Sequence, residues 1–192
     1  MISRNGFVFQ FSLVVESLER LISQVSDLPP EFWQAQPAGR FGPGEILVHL
    51  MQSGHFVSRF VREQLELDPR TPLEPYFAKA VNNREALSAL NLRGARKVCG
   101  SFTTTRDFRD WLYAELKDIE HSARSIPEFM LEKQVSHPLV EMKGPCGQVL
   151  LQLLVVHLAY HLGQLTEQIK VAGYPVPYLP IFGSFGEQAK QD

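Results

Sequence analysis

The chain has 192 residues, 44% of them hydrophobic and 21% charged, with a formal net charge of −2. That length suffices for one domain over residues 1–192 with a substantial core, and the near-neutral charge gives nucleic acid no basic surface to meet. Two cysteines are too few for a disulfide framework, so a reducing, cytoplasmic setting is expected.

Arg4 precedes an apolar run from Gly6 to Val15. Gln10 and Ser12 interrupt it, and Glu16, Glu19 and Arg20 continue it with helical periodicity, so a first helix from about Phe7 to Ser26 is expected and not a secretory signal. Leu28-Pro29-Pro30 ends it. A Pro/Gly-rich connector follows, from Pro37 to Gly44. Pro43 suits the first turn of a second helix, and Glu45 suits the positive end of its dipole. That helix carries Ile46, His49, Leu50, Ser53, Phe56, Val57, Phe60, Val61 and Leu65 before Asp68-Pro69 stops it. His49, Ser53, Phe56 and Phe60 share its inner face.

From Pro69 to Gly100 the pattern loosens around Pro69, Pro72 and Pro75, with a short helix expected between Asn83 and Val98 on Leu87, Leu90 and Leu92. A connector this long is commonly a lid or binding loop. Thr104 caps the third long helix with Asp107 in the capping-box position, and Phe108, Trp111, Leu112, Leu116, Ile119 and Ala123 form its stripe up to Pro127. Short extended pieces are expected around Val135 and Val140. The fourth long helix runs from about Gln148 to Val171, stopped by Gly173 and Pro175. A tail over 173–192, rich in Pro, Gly and aromatics, should lie on the surface without regular structure. The bundle core therefore spans about 7–172. The apolar part of the fourth helix reads as shorter than the ~20 residues a bilayer demands and carries Gln and His, so no membrane span is expected.

That fourth helix holds the most informative pattern in the chain. His157 and His161 are one turn apart, and Leu150, Leu153, Leu154, Gln164 and Gln168 lie on the same broad face. Stacked imidazoles of this kind grip one metal ion from one side, and His49 on the second helix offers a third ligand. Three histidines are a common protein complement for a catalytic metal, leaving a position for water or substrate. A histidine on an apolar face is, however, more often a satisfied core residue than a ligand. The pair lacks an internal glutamate, which argues against an H-E-x-x-H metalloprotease.

The segments Gly44-Glu45-Ile46-Leu47-Val48-His49-Leu50 and His157-Leu158-Ala159-Tyr160-His161-Leu162-Gly163-Gln164-Leu165, in this order of elements, resemble the DinB/YfiT-like superfamily of helical-bundle metalloenzymes. The resemblance implies an all-α, up-and-down-type four-helix bundle and a homodimer. It also implies a divalent metal held by His49, His157 and His161, with zinc or nickel favoured over manganese or iron. By the same resemblance the metal activates a low-molecular-weight thiol cosubstrate or water for transfer to, or hydrolysis of, a small electrophilic molecule. Two departures stand out. Leu158 and Leu162 occupy positions that are often charged in the family, and the connector from Pro69 to Gly100 is long.

Gln164 is expected to support a ligand or contact substrate, or else to pack as a plain helix amide. Glu45, one turn before His49, would orient it, act as a base, or merely serve the helix dipole. Tyr160 would line the pocket or pack. His55, rotated about 120° from His49, His121 and His137 read as structural or surface residues. Cys146 sits where a helix N-terminus favours thiolate but reads as inert. Arg93, Arg96, Lys97, Arg106 and Arg109 could draw an anion to the mouth, or simply be solvated. The competing functional class is a non-catalytic metal-binding or dimerisation module associated with stress response.

Overall fold

The computed structural model describes residues 4–65, 84–137 and 142–183. Pro69, Pro72, Pro75, Pro138, Val140 and Phe185 fall outside the described residues, as do the side chains of Phe60, Leu87, Leu90 and His137. Among the described residues the fold is mostly helical, with six helices and one small two-stranded sheet.

Helix α1 spans Arg4–Ser23 and a 3₁₀ turn continues it over Gln24–Ser26, so the α-helix starts and ends three residues earlier than its periodicity predicts. Phe7, Phe11, Val14, Leu18, Leu21 and Ile22 are buried at helical spacing, and Phe7 stacks on Phe11 with ring centroids 5.7 Å apart. The four-residue helix α2, Pro30–Trp33, begins on proline and buries Trp33. Only one turn long, it has no periodicity to betray it in the sequence.

Helix α3, Pro43–Gln64, starts as the sequence predicts. Gly42 is its N-cap: the Ile46 N–H donates to the Gly42 carbonyl at 2.9 Å, and the Gly42 N–H donates to Glu45 Oε2 at 2.8 Å. The second of these is half of a capping box. The helix start is pressed onto its surroundings. A Cβ on Gly44 would lie 2.3 Å from the Trp33 carbonyl oxygen and 2.8 Å from Cys99 Sγ, so only glycine fits there. Helix α4, Arg84–Cys99, fills the latter half of the long connector and packs on α3. Helix α5, Thr105–Arg124, is capped by Thr104, whose Oγ1 accepts from the Asp107 N–H at 3.1 Å and donates to Asp107 Oδ2 at 2.7 Å.

Strands β1, Gln134–His137, and β2, Met142–Pro145, pair antiparallel from Gln134↔Pro145 to His137↔Met142. The first strand is the extended piece expected around Val135, and the pair is a small addition to a mostly helical fold. Val135 fixes the register by pointing its side chain into the core.

Helix α6 then runs unbroken over Cys146–Val171, 26 residues, two residues longer at its start than expected. Its second and third turns, Leu151–Val156, are π-helical, one residue wider per turn than the α-helix on either side. Its most apolar 18-residue window has a mean hydropathy of 1.4, and half of that window is buried against the rest of the fold. By length and composition it could cross a bilayer, contrary to the shorter apolar stretch read from the sequence. It ends in a Schellman motif: Gly173, at φ 81°, donates to the Lys170 carbonyl and Tyr174 to that of Ile169. The described part of the tail, 173–183, is more firmly seated than expected. Leu179 is buried, Pro180–Phe182 form a 3₁₀ turn, and the Ile181 N–H donates to Ser17 Oγ on α1 at 3.1 Å.

Helices α4, α5 and α6 pack on α3, and α1 packs on α5 and α6. The α3–α6 contact is the one that carries the histidines.

Candidate metal centre

His49 lies two turns into α3, and His157 and His161 follow the π-helical stretch of α6. One ligand atom from each comes within 4.8 Å of the others. Ring centroids are separated by 4.7 Å for His49–His161, 4.7 Å for His157–His161 and 5.5 Å for His49–His157. The expected trio is therefore brought together. His49 and His161 are buried, and His157 is half-buried.

The closest approach is between two nitrogens, His157 Nε2 and His161 Nε2, at 3.1 Å. Two imidazole nitrogens bound to one zinc at about 2.0–2.1 Å stand about 3.3 Å apart at the tetrahedral angle. Two bare lone pairs repel across such a gap, so it holds either a proton or a cation. The wider spread of the full set leaves His49 as the ring that must close in. His49 has only long contacts, 3.5 Å and 3.4 Å, to Ser53 Oγ, so no strong hydrogen bond opposes that movement. Three imidazoles with converging nitrogens fit zinc, nickel or another borderline divalent ion.

Electrostatics keep the rings in the form that binds metal. Burial pushes His49 down to about 3, and the neighbouring His161 and His157 lower it further. Burial also lowers His161, against the opposing effect of its hydrogen bond to Gln164. Both rings are thus neutral at physiological pH, with a lone pair available.

The supporting residues divide cleanly. Gln164 Oε1 lies 2.8 Å from His161 Nδ1, and Gln164 Nε2 donates to the Tyr160 hydroxyl at 2.8 Å. A carboxamide oxygen only accepts, so Nδ1 carries the hydrogen and Nε2 presents its lone pair. Tyr160 is 62% exposed, with its ring edge-on to His161 at 5.1 Å. Glu45 is fully buried, and its carboxylate does not turn to His49. Instead it accepts from Gly42 N–H at 2.8 Å and from Arg96 Nε at 2.6 Å.

Three further contributors support the site, and periodicity points to just one of them. Phe41, at the end of the Pro/Gly-rich connector, stacks on His49 at 4.8 Å and 22° and meets His161 edge-on at 6.2 Å. Gln168 Nε2 holds the Phe41 carbonyl at 3.1 Å. Arg96 donates to the Pro37 carbonyl at 3.2 Å as well as to Glu45. Together they clamp the connector over the histidines. The only sequence signal was Gln168 on the histidine face.

The remaining histidines and cations are elsewhere. His55 pairs with Glu115 at 2.6 Å and lies 3.5 Å from Asp118, and His121 is exposed. Arg109 bonds Asp110 and Ser26, while Arg106 stands 3.8 Å from Asp110. Arg93 and Lys97 are exposed. Cys146 is fully buried, and burial pushes its thiol up to about 12; burial and then Glu45 push Cys99 up to about 11. Neither is a thiolate, and the helix N-terminus does not outweigh desolvation at Cys146.

The arrangement offers three nitrogen donors, a fixed tautomer on one of them and an aromatic cover on one side. Compared with family models, curated proteins and solved structures, the chain finds no match.

Proposed function

We propose that the protein is a metal-dependent enzyme in which His49, His157 and His161 hold one divalent ion. The observation that carries this reading is the convergence of three imidazole ligand atoms from two helices within 4.8 Å. The long helices α1, α3, α5 and α6 are read as an up-and-down four-helix bundle, consistent with the DinB/YfiT-like resemblance of the histidine segments. Zinc or nickel suits the all-imidazole donor set best.

When bound, the ion supplies Lewis acidity that makes a thiol or water nucleophilic at neutral pH. The chain's own residues do the rest. Gln164 keeps the His161 hydrogen on Nδ1, and the clamped connector holds Phe41 across His49 and keeps water from that face. The reaction proposed is transfer of a thiol to, or hydrolysis of, a small electrophilic molecule. The half-buried His157 marks the side from which substrate enters.

Elemental analysis of gently purified, tag-free protein tests the metal centre. About one metal per chain, lost in both His49→Ala and His161→Ala, is the expected result. No metal after incubation with zinc, nickel, manganese or ferrous ion would sink the proposal. Metal bound stoichiometrically with no thiol-transfer or hydrolytic turnover would move the protein to the class of non-catalytic metal-binding modules.

A further inference from the structure

Resting on the metal-centre reading above, we infer that Tyr160, Gln164 and His161 form a polarised hydrogen-bond relay that selects the metal-binding tautomer. Gln164 is its positioning residue, and the Tyr160 hydroxyl accepts from the Gln164 amide at the outer end. The three side chains are joined by two contacts of 2.8 Å, His161 Nδ1 to Gln164 Oε1 and Gln164 Nε2 to Tyr160 Oη. They stand at positions i, i+1 and i+4 on one helix, so the backbone of α6 fixes their spacing.

A relay of this kind has two self-consistent senses. In one, His161 Nδ1–H donates to the amide oxygen, the amide NH₂ donates to the phenol oxygen, and His161 Nε2 is a bare lone pair. In the other, the amide is turned over, its NH₂ donates to a bare Nδ1, the phenol donates to the amide oxygen, and the imidazole hydrogen sits on Nε2. The second sense aims an N–H at His157 Nε2, 3.1 Å away, and fills the place an ion would occupy. The amide stands in the first sense. No proton is gained or lost between the two senses; the hydrogens are only redistributed along the chain of donors and acceptors.

The consequence is a coupling between an exposed phenol and a buried ligand. Tyr160 is 62% exposed while His161 is 9% exposed, so the outer end of the relay is open to whatever occupies the mouth. Because the phenol oxygen takes an amide hydrogen in the metal-binding sense, its own hydrogen is left for an acceptor outside the relay.

Zinc and cobalt(II) titrations of the full-length protein, with melting of the metal-free proteins as a control, test the relay. Gln164→Leu, which keeps the shape and removes both polar atoms, should weaken metal binding by about 10–100-fold, with metal-free melting unchanged. Gln164→Glu, which can only accept, should restore binding and alter the cobalt(II) absorption spectrum only slightly. Tyr160→Phe should weaken binding by a smaller factor in the wild-type background and by none in Gln164→Glu or Gln164→Leu, a non-additivity that identifies a shared path. Wild-type affinity in Gln164→Leu, or a Tyr160→Phe effect of equal size in all three backgrounds, would overturn the relay while leaving the metal centre standing. Failure of the wild-type protein to bind either ion would instead overturn the metal-centre reading.

Discussion

His49 shows how one residue can be tuned by its surroundings for a single charge state. It is 5% exposed, stacked on Phe41 and faced by two other imidazoles. Burial is the largest cause of its depression from 6.5 to about 3. In the unfolded chain the same ring protonates normally, near 6.5. Between those two values the unfolded state binds a proton that the folded state refuses, so stability rises with pH across that window and is lost as pH falls through it. One such group contributes at most about 1.4 kcal/mol per pH unit. Metal-free protein should therefore lose urea resistance steadily as pH falls from 6.5 towards 3, and His49→Gln should flatten that slope. An unchanged slope in the variant would assign the acid sensitivity to carboxylates instead.

The elements that position the site differ in how far the sequence announces them. Helices α3, α5 and α6 were legible because Ile46, Leu50, Val57 and Val61, then Phe108, Leu112, Leu116 and Ile119, repeat at helical spacing and are buried as that spacing requires. The His49–His157–His161 trio was legible for the same reason, since residues on the inner faces of two packed helices have few places to go. The π-helical turns over Leu151–Val156 were not, because an apolar run broken only by Gln152, without Gly or Pro, reads as plain α-helix. The connector was not legible either. Its fixed points are a loop ring, Phe41, laid on His49, and Arg96, which reaches Glu45 and Pro37 across long sequence separations, and no local periodicity encodes them. Glu45 stands out for its place in the first turn, but its partner, the half-buried Arg96, sits 51 residues away on α4. That pair yields an ordering that can be measured. Arg96→Met strands a carboxylate that is fully buried, whereas Glu45→Gln with Arg96→Met leaves no buried charge behind. The single variant should unfold at lower urea than the double variant. If the double is the weaker of the two, the Glu45 carboxylate stabilises the fold without Arg96, through the bond it accepts from the Gly42 N–H.

At the scale of the whole molecule, the question is whether the fold depends on the ion or only holds it. The histidines sit at one contact, between α3 and α6, while the buried set extends from Phe7 in α1 to Ile169 in α6 and Leu179 in the tail. A core spread over every helix does not need a metal to assemble, unlike small domains that are unfolded without one. Metal then acts by mass action on a fold that already exists. At free metal one hundred times the dissociation constant, binding to the native state alone adds about 2.7 kcal/mol. For a chain of this size each kcal/mol moves the melting point by about 2–4 °C. Chelation should accordingly lower the melting temperature by about 5–10 °C, and the far-ultraviolet circular dichroism at 20 °C should stay that of a helical protein. Collapse of the helical signal on chelation would mean that α3 and α6 are held together by the ion. The three histidines would then be structural staples with their coordination closed, and the enzymatic reading would lose its open position for substrate.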